Sequence, residues 1–436
     1  MSELKPRIVI VGGGIVGILL AVSLTNLKIP YTLYEREPGF VTQGAGIGIG
    51  PNSRIAMKLL DERYHALYKE IATRNADKNK SNVMFDVYLA EDQSYPGFEV
   101  SSGPFRRNSA HRKQLLDIGK ELLPEGVVRF GKEAVGIEER DDGSVAVIFK
   151  DGEVAVGDAV IGCDGGKGPF REYVVGKEFL DATYSGVYAY RSILPMDKAV
   201  EILGNDARNS RMYLAKNRHI MTYPITQGTQ LNVIAFQRAE EDWTYPAWQK
   251  PVLKEEMVKE FEGFSDPLVK LVSVSIDMLK LSSSQDNDTF FSCTQMLNPV
   301  QWALFHNLNT PTYFRNRVVL LGDSAHASTP HQAAGAGQGL EDTLIFSRLL
   351  AKATSLSDLP HIFKVYDHFR RPRAQKVVRT SNEAGIIYDF CDPKIGADME
   401  ALEQNLKSRF DWIWKEDLEG TIEKAEQMLI EVRGSA

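Results

Sequence analysis

Three groups of residues in this 436-residue chain have types and spacing that bear on chemistry. The first is Gly12-Gly13-Gly14-Ile15-Val16-Gly17, a GxGxxG string. Gly12 allows a tight turn, Gly14 lets the backbone approach a pyrophosphate, and Gly17 permits close packing of helix on strand. The helix N-terminus behind the string favours negative charge. Glu35 follows at the distance expected for a carboxylate on a ribose hydroxyl, and its neighbour Arg36 is grouped with it as cofactor-binding. The second group is GDSAHASTPHQAAGAGQGLED at 322–342. Asp323 ends a buried strand, where an open α/β sheet binds its ligand, and it can accept a hydrogen bond from a polyol such as ribitol. Pro330, Gly335, Ala336 and Gly337 lead into a helix whose first N–H groups can stabilise negative charge on the pyrimidine edge of a reduced flavin. The third group is Arg191 and Tyr223. An arginine interrupting an apolar strand is costly to bury without an anion, and a phenolate or carboxylate would supply one. Tyr223, before Pro224 at a strand end, can bond the same oxygen.

Elements must hold these residues in place. Residues 7–11, 15–27 and 30–35 read as strand, helix and strand, a βαβ unit. Residues 41–50 are too glycine-rich for a helix interior or a central strand, which predicts a loop packed on a ligand, with Gly46 and Gly48 against it. Residues 52–72 read as helical, 73–100 as polar with weak strand signals, and a helix follows from Arg112 to Leu123. Runs 134–139 and 144–150 flank Asp141-Asp142-Gly143 and predict a hairpin. Residues 158–162 are a short buried strand. From 184 to 237 the strands lengthen and alternate, an antiparallel signature. Residues 252–272 read as helix, 318–323 as a buried strand, Gln338 to Ala353 as helix, and the remainder as helical and charged.

Composition narrows the function. Net charge is −7, so no general attraction to nucleic acid or anionic lipid exists. Cys163, Cys293 and Cys391 are far apart and odd in number, which argues against a disulfide framework or zinc site and fits a reducing, cytoplasmic setting. His326 and His331 lie in the glycine-rich string, and no HExxH-like spacing calls for a metal. Lys5 and Arg7 before an apolar run imitate a secretion signal, but Gly12, Gly13, Gly14 and Gly17 interrupt the run and a second strand follows. No other segment has the roughly 20 apolar residues of a membrane span. Nothing in the composition specifies an oligomeric state.

The string from Gly322 to His326, with Pro330 and the run Ala334–Asp342, resembles the second flavin fingerprint of the aromatic hydroxylases related to para-hydroxybenzoate hydroxylase. The form PHQ-x-AGAGQGLED is most similar to the salicylate hydroxylase branch, which includes polyketide-tailoring phenol hydroxylases. Cys163-Asp164-Gly165-Gly166-Lys167-Gly168-Pro169-Phe170-Arg171 resembles the family's DG motif, near the FAD pyrophosphate and tied to nicotinamide binding. Asp164, Gly165 and Arg171 match it, while Gly168 replaces the usual serine. Arg112 stands where the family carries an arginine on FAD, and Ala333 where it usually has glycine. Trp412-Ile413-Trp414 with Asp417-Leu418-Glu419 is similar to the tail of this branch.

The resemblance implies an α/β fold with a Rossmann-like FAD-binding domain (1–72, 101–182 and 291–385). This would be interleaved with an antiparallel β-sheet substrate domain (73–100 and 183–290) and followed by a C-terminal helical tail (386–436). It implies FAD, NAD(P)H and dioxygen, and hydroxylation of a small aromatic substrate by a flavin hydroperoxide. That oxidant is electrophilic, so the ring must be electron-rich, as a phenolate is. Arg191 and Tyr223 match residues that position the phenolate in polyketide-tailoring members, for ortho or ipso attack that is simple, dearomatising or decarboxylative. His331 and Gln332 are further candidates beside the flavin. A flavin dehydrogenase or oxidase shares both fingerprints, and an indole or alkaloid monooxygenase shares the whole pattern.

Overall fold

The computed structural model describes residues 5–40, 46–180, 182–282 and 299–434, with backbone alone for 275–282. Residues 41–45, including Gly44 and Ala45 of the expected flavin loop, and Cys293 lie outside the described residues.

Short runs of Val, Ile and Leu form a six-stranded sheet in the order Phe314–Arg315, Val318–Leu320, Ala159–Gly162, Ile8–Val11, Tyr31–Tyr34, Val128–Arg129. The pairing is parallel except between the first two strands. Parallel strands are covered on both faces, which is why these runs are continuously apolar. Ile8–Val11 and Ala159–Gly162 are buried at every position. The glycine-flanked helices Ile15–Asn26 and Gly335–Leu350 pack together beside this sheet. The predicted hairpin is present as Ala134–Glu139 with Val145–Phe149, and Val154–Gly157 adds a third strand.

The longer alternating strands build an eight-stranded sheet. Its order is Gln249–Pro251, Val300–His306, Thr183–Pro195, Gln230–Arg238, Arg218–Ile225, Arg211–Ala215, Val83–Leu89, Phe98–Ser101. One pair, Arg211–Ala215 with Val83–Leu89, is parallel and the others are antiparallel. Tyr190, Leu194, Ile220, Val233 and Ala235 on one face are buried under Met257, Phe261, Phe264 and Leu268 of the helical segments that follow. The opposite face meets Gly46 through Tyr223 and Asn232, and His331 of the loop after Val318–Leu320 through Phe236. The C-terminal helices Met399–Arg409, Asp411–Trp414 and Leu418–Gly434 close the molecule. Phe410 and Trp414 pack with Phe85 and Val100 of the large sheet, while Leu418, Ala425 and Leu429 join the core of the first.

Four local expectations are corrected. Residues 46–49 are not loop: Gly46–Ile49 pairs antiparallel with Asn108–His111, and glycine alternates with isoleucine along it. The 52–72 helix is two, Pro51–Leu60 and Glu62–Ile71. Asp61 leaves helical geometry at φ −159° and its carboxylate caps the second helix through Arg63 and Tyr64 N–H. The 252–272 helix is likewise divided into Lys254–Lys259 and Asp266–Ser282. Gly263, at φ +91°, turns the chain, and Pro267 fits only a first helical turn. The helix expected from Gln338 begins at Gly335. Among the described residues, no helix is long and apolar enough to cross a membrane.

Candidate active site

Gly12 takes φ +107°, and a Cβ there would stand 2.2 Å from the Cys163 carbonyl oxygen. A Cβ at Gly17 would lie 1.9 Å from Gly12 O, so helix and strand meet as the motif requires. Gly14, by contrast, faces open space. It begins a helix with no side-chain cap and no acidic residue in its first turn, leaving N–H groups for an anion. Glu35 stands beside this loop. Its Oε2 accepts from Gly13 N–H at 2.6 Å and Oε1 from Glu37 N–H at 2.9 Å. Arg36 is exposed and pairs with Glu37 at 3.3 Å. Arg112 is exposed at the start of the helix Arg112–Lys120.

In the Cys163–Arg171 segment, one oxygen of Asp164 accepts from Phe170 N–H at 3.3 Å. The other is shut off from solvent with no partner, and burial pushes the carboxyl up to about 7. The missing serine has a steric reason: a Cβ at Gly168 would lie 1.5 Å from Asp164 Oδ2. Arg171 is 2% exposed and faces inward. Its guanidinium donates to Thr310 Oγ1 and to the carbonyls of Ala325 and Phe179, and so ties this segment to the Asp323 turn.

Asp323 opens the short helix Asp323–His326 and is exposed. The turn is held from behind by buried charges. His326 Nε2 meets Asp342 Oδ2 at 2.5 Å, and Gly322 N–H donates to the same oxygen at 2.9 Å. Arg370 donates to Asp342 Oδ1 at 2.8 Å and Glu341 Oε2 at 2.7 Å. Burial pushes Asp342 up, but His326 and Arg370 outweigh it and hold the carboxyl down to about 2. Arg373 carries the network onward, from Glu341 to the carbonyls of Trp412 and Ile413 in the tail. Pro330 starts a single turn ending at Ala333, which adopts the left-handed conformation at φ 49°, ψ 32°. Gly335, Ala336 and Gly337 form the first turn of the next helix, which also has no side-chain cap and no acidic residue there.

Arg191 and Tyr223 come together on the face that meets Gly46 and His331. Arg191 pairs with Ile234 and Ile193 with Asn232 across one ladder, while Met221 pairs with Ile234 and Tyr223 with Asn232 across the next. Directly paired residues share a face, so Arg191, Ile234, Met221 and Tyr223 do too. Within this face Ala189, Phe236 and Leu304 are buried. Arg191, Ile234, Met221 and Trp302 are only half-buried, so this part of the face stays accessible beside them. The Arg191 guanidinium carbon lies 5.5 Å from the Trp302 ring centroid. Its Nε is shielded from solvent without a partner, and burial lowers its pKa. Tyr223 lies within the strand Arg218–Ile225 and is buried; burial pushes its hydroxyl up to about 12, against the pull of Arg107 and Arg191. Gly46 fits against it: a Cβ there would stand 2.8 Å from Tyr223 Cε2. Gly46 N–H donates to Asn232 Oδ1 at 3.0 Å. At Gly48 a Cβ would meet the Ala333 methyl at 3.1 Å.

His331 and Gln332 are both buried at this junction, and His331 Nδ1 has no partner. The sequence reading missed what surrounds His331. His219 stacks on Phe236 at 4.3 Å and lies 5.4 Å from His331. Its Nδ1 meets Asp389 Oδ1 at 2.7 Å, and Arg238 donates to Asp389 Oδ2 at 2.8 Å. His219 shares the odd-numbered face with Met221 and Tyr223, a signal present in the alternation. Asp389, just past a long helix, gave none.

Comparison with known proteins finds relatives over nearly the whole chain. Residues 288–381 match the model of an FAD binding domain. An FAD-dependent monooxygenase of Gibberella moniliformis is 34% identical over 441 residues, covering 96% of this chain and 96% of that protein. A salicylate hydroxylase of Pseudomonas putida is 36% identical over 444 residues, covering 98% and 96%. A solved salicylate hydroxylase substrate complex superposes with a TM-score of 0.82 at 29% identity, covering 97% of this chain and 98% of that one. Two uncapped helix starts, open space over Gly14, exposed Asp323 and the buried unpartnered oxygen of Asp164 together fit a pyrophosphate and polyol chain.

Proposed function

The chain belongs to the FAD-dependent aromatic monooxygenases that include salicylate hydroxylase, and on that footing we propose that it hydroxylates a phenol using NAD(P)H and dioxygen. The carbon attacked is ortho or ipso to an oxygen held as phenolate by Arg191 and Tyr223. The observation that carries this reading is Arg191: a half-buried guanidinium with an unpartnered Nε, on the sheet face that meets Gly46 and His331. An anion there completes its pairing.

FAD is held at the six-stranded sheet through Gly12, Gly14, Gly17, Glu35, Arg36, Asp164, Asp323 and the Pro330–Gly337 turn, and through Arg112 at the start of the helix Arg112–Lys120. When bound and reduced by NAD(P)H, FAD supplies the activation of dioxygen and delivery of one oxygen atom as an electrophile. The protein's own part is to bind and orient the ring. Arg191 favours the ionised oxygen, Tyr223 donates a hydrogen bond to it, and Trp302, Ile234 and Met221 offer apolar contact that excludes water. Gly46 and Gly48 keep side chains out of the space between sheet and cofactor loops. Three cysteines far apart in the sequence, with no CxxC pair, fit a reducing compartment, the cytoplasm.

The test is consumption of NADPH and NADH by the yellow holoprotein across salicylate, resorcinol-type aldehydes and indoles, under isotopic dioxygen. Labelled oxygen in a phenol product supports the reading, and loss of carbon dioxide from salicylate identifies the decarboxylative form. Turnover of phenols without label in the product overturns it in favour of a dehydrogenase or oxidase. Turnover of indoles alone assigns this sheet face to another ring.

A further inference from the structure

Behind Tyr223 stands a buried charge that the proposed chemistry does not use. Arg107 is 3% exposed, and among the described residues no carboxylate pairs with it. Its guanidinium carbon lies 5.1 Å from the centroid of the Tyr223 ring. Its NH1 donates to Ser109 Oγ at 2.9 Å, and the Ser109 hydroxyl donates to the carbonyl of Pro224, next to Tyr223, at 2.6 Å. A buried arginine ordinarily meets a carboxylate. This one meets an aromatic face and a hydroxyl, and burial pushes it down to about 10. A ring face attracts a cation but offsets little of such a desolvation cost.

We propose that Arg107 is a positioning residue for Tyr223, a fixed positive charge behind the ring that strengthens the tyrosine hydroxyl as hydrogen-bond donor to the substrate oxygen. The inference rests on the reading of Tyr223 as a phenolate contact. Tyr223 is straddled electrostatically by two cations, Arg107 and Arg191, and both oppose the effect of burial on its hydroxyl. The other group facing Arg107 is Tyr68, whose buried hydroxyl has no partner and is itself near Arg54 and Arg74. Among the described residues, the charges that act on Tyr223 are therefore positive, and no acid offsets them. The tether matters as much as the charge. Arg107 immediately precedes the strand Asn108–His111, which pairs with Gly46–Ile49. Cation, tyrosine and cofactor-side strand are thus tied together. A donor brought closer in acidity to its acceptor makes the shorter, stronger bond.

The experiment places a polyfluorinated tyrosine at position 223 of the full-length, FAD-loaded protein and follows its ionisation by fluorine NMR without substrate. Fluorination brings the titration into a range where the protein stays folded. In Arg107→Gln the midpoint should rise by roughly one to two pH units, the effect of losing a unit charge at this distance. Arg107→Lys keeps the charge and should restore most of the difference. An unchanged midpoint in the glutamine variant overturns the proposal, because a merely structural arginine would not move it. If that variant does not fold, Ser109→Ala, which cuts the tether and keeps the charge, should give a smaller rise, and no rise overturns the proposal. Since no substrate is present, the titration still reports on Arg107 if no phenol is ever turned over. Conversely, phenol turnover with an unmoved midpoint removes Arg107 alone.

Discussion

Replacing Arg191 by methionine keeps most of the side chain's length and apolar stem but removes the charge from this sheet face. The guanidinium is half-buried beside Trp302, with its Nε unpartnered. A phenolate oxygen about 4 Å away, at an effective dielectric of about 20, interacts with it by about 4 kcal/mol. Neutral phenol gains little of this, so the difference falls almost wholly on the ionisation of the bound ring. About 4 kcal/mol corresponds to roughly three pH units. Tyr223 remains in Arg191→Met and can still bond a neutral phenol, so binding should weaken less than ionisation. The assay is a difference-spectrum titration of a resorcinol-type aldehyde on the holoprotein, reading phenolate absorbance against pH. The variant's midpoint should rise by two to three units, roughly as estimated, and hydroxylation near neutral pH should fall by the same factor. Flavin content should not change, because Arg191 lies on the sheet and not in the cofactor loops. A bound phenol that ionises at the wild-type pH in Arg191→Met would refute the reasoning, since the charge would then not be felt at the substrate oxygen.

Three further outcomes follow from the cofactor side. Gly168→Ser introduces a Cβ 1.5 Å from Asp164 Oδ2, so Asp164 must move; FAD affinity measured by fluorescence should fall by about 1–3 kcal/mol, and unchanged affinity would show that Asp164 can turn freely. Ala333→Gly relieves a left-handed alanine at φ 49° and should raise the urea midpoint by an amount equivalent to about 1 kcal/mol. Asp342 is held at about 2 against an ordinary value of 3.8, so its contribution, about 2 kcal/mol, is full above about pH 4 and lost as pH falls toward 2. Asp342→Asn should therefore unfold at lower urea than wild type at neutral pH, and its urea midpoint should be less sensitive than wild type to acid in that window.

Much of the cofactor half was legible because each signal was local. Ile8–Val11 is apolar throughout, glycine interrupts it at the turn, and the helix follows at once. The alternation from 184 to 237 likewise exposed a half-covered sheet. The strand Gly46–Ile49 was misread because glycine has weak strand propensity, and only its neighbours reveal why glycine is there. Tyr223 and Ala333 occupy the space where its side chains would be. The division at Asp61 turned on a side-chain cap, which period alone does not show. Arg107 and Asp389 act on residues more than a hundred positions away, His219 among them, and no spacing rule joins such pairs. Arg171 shows the opposite error of emphasis: a residue matched to a cofactor motif serves as an internal brace.

The strand order of the first sheet has a consequence for how the chain is made. Ile8–Val11 hydrogen-bonds to Ala159–Gly162, and that strand to Val318–Leu320. One edge of Ile8–Val11 therefore stays open during synthesis until Ala159–Gly162 is made, and the sheet waits some three hundred residues to fill, which favours slow folding and exposes apolar edges meanwhile. The Tyr31–Tyr34 strand pairs early and shields one side. The other side stays open until Ala159–Gly162 is made, and that strand in turn waits for Val318–Leu320, so synthesis slowed between residues 34 and 318 should raise the aggregated fraction rather than the folded one.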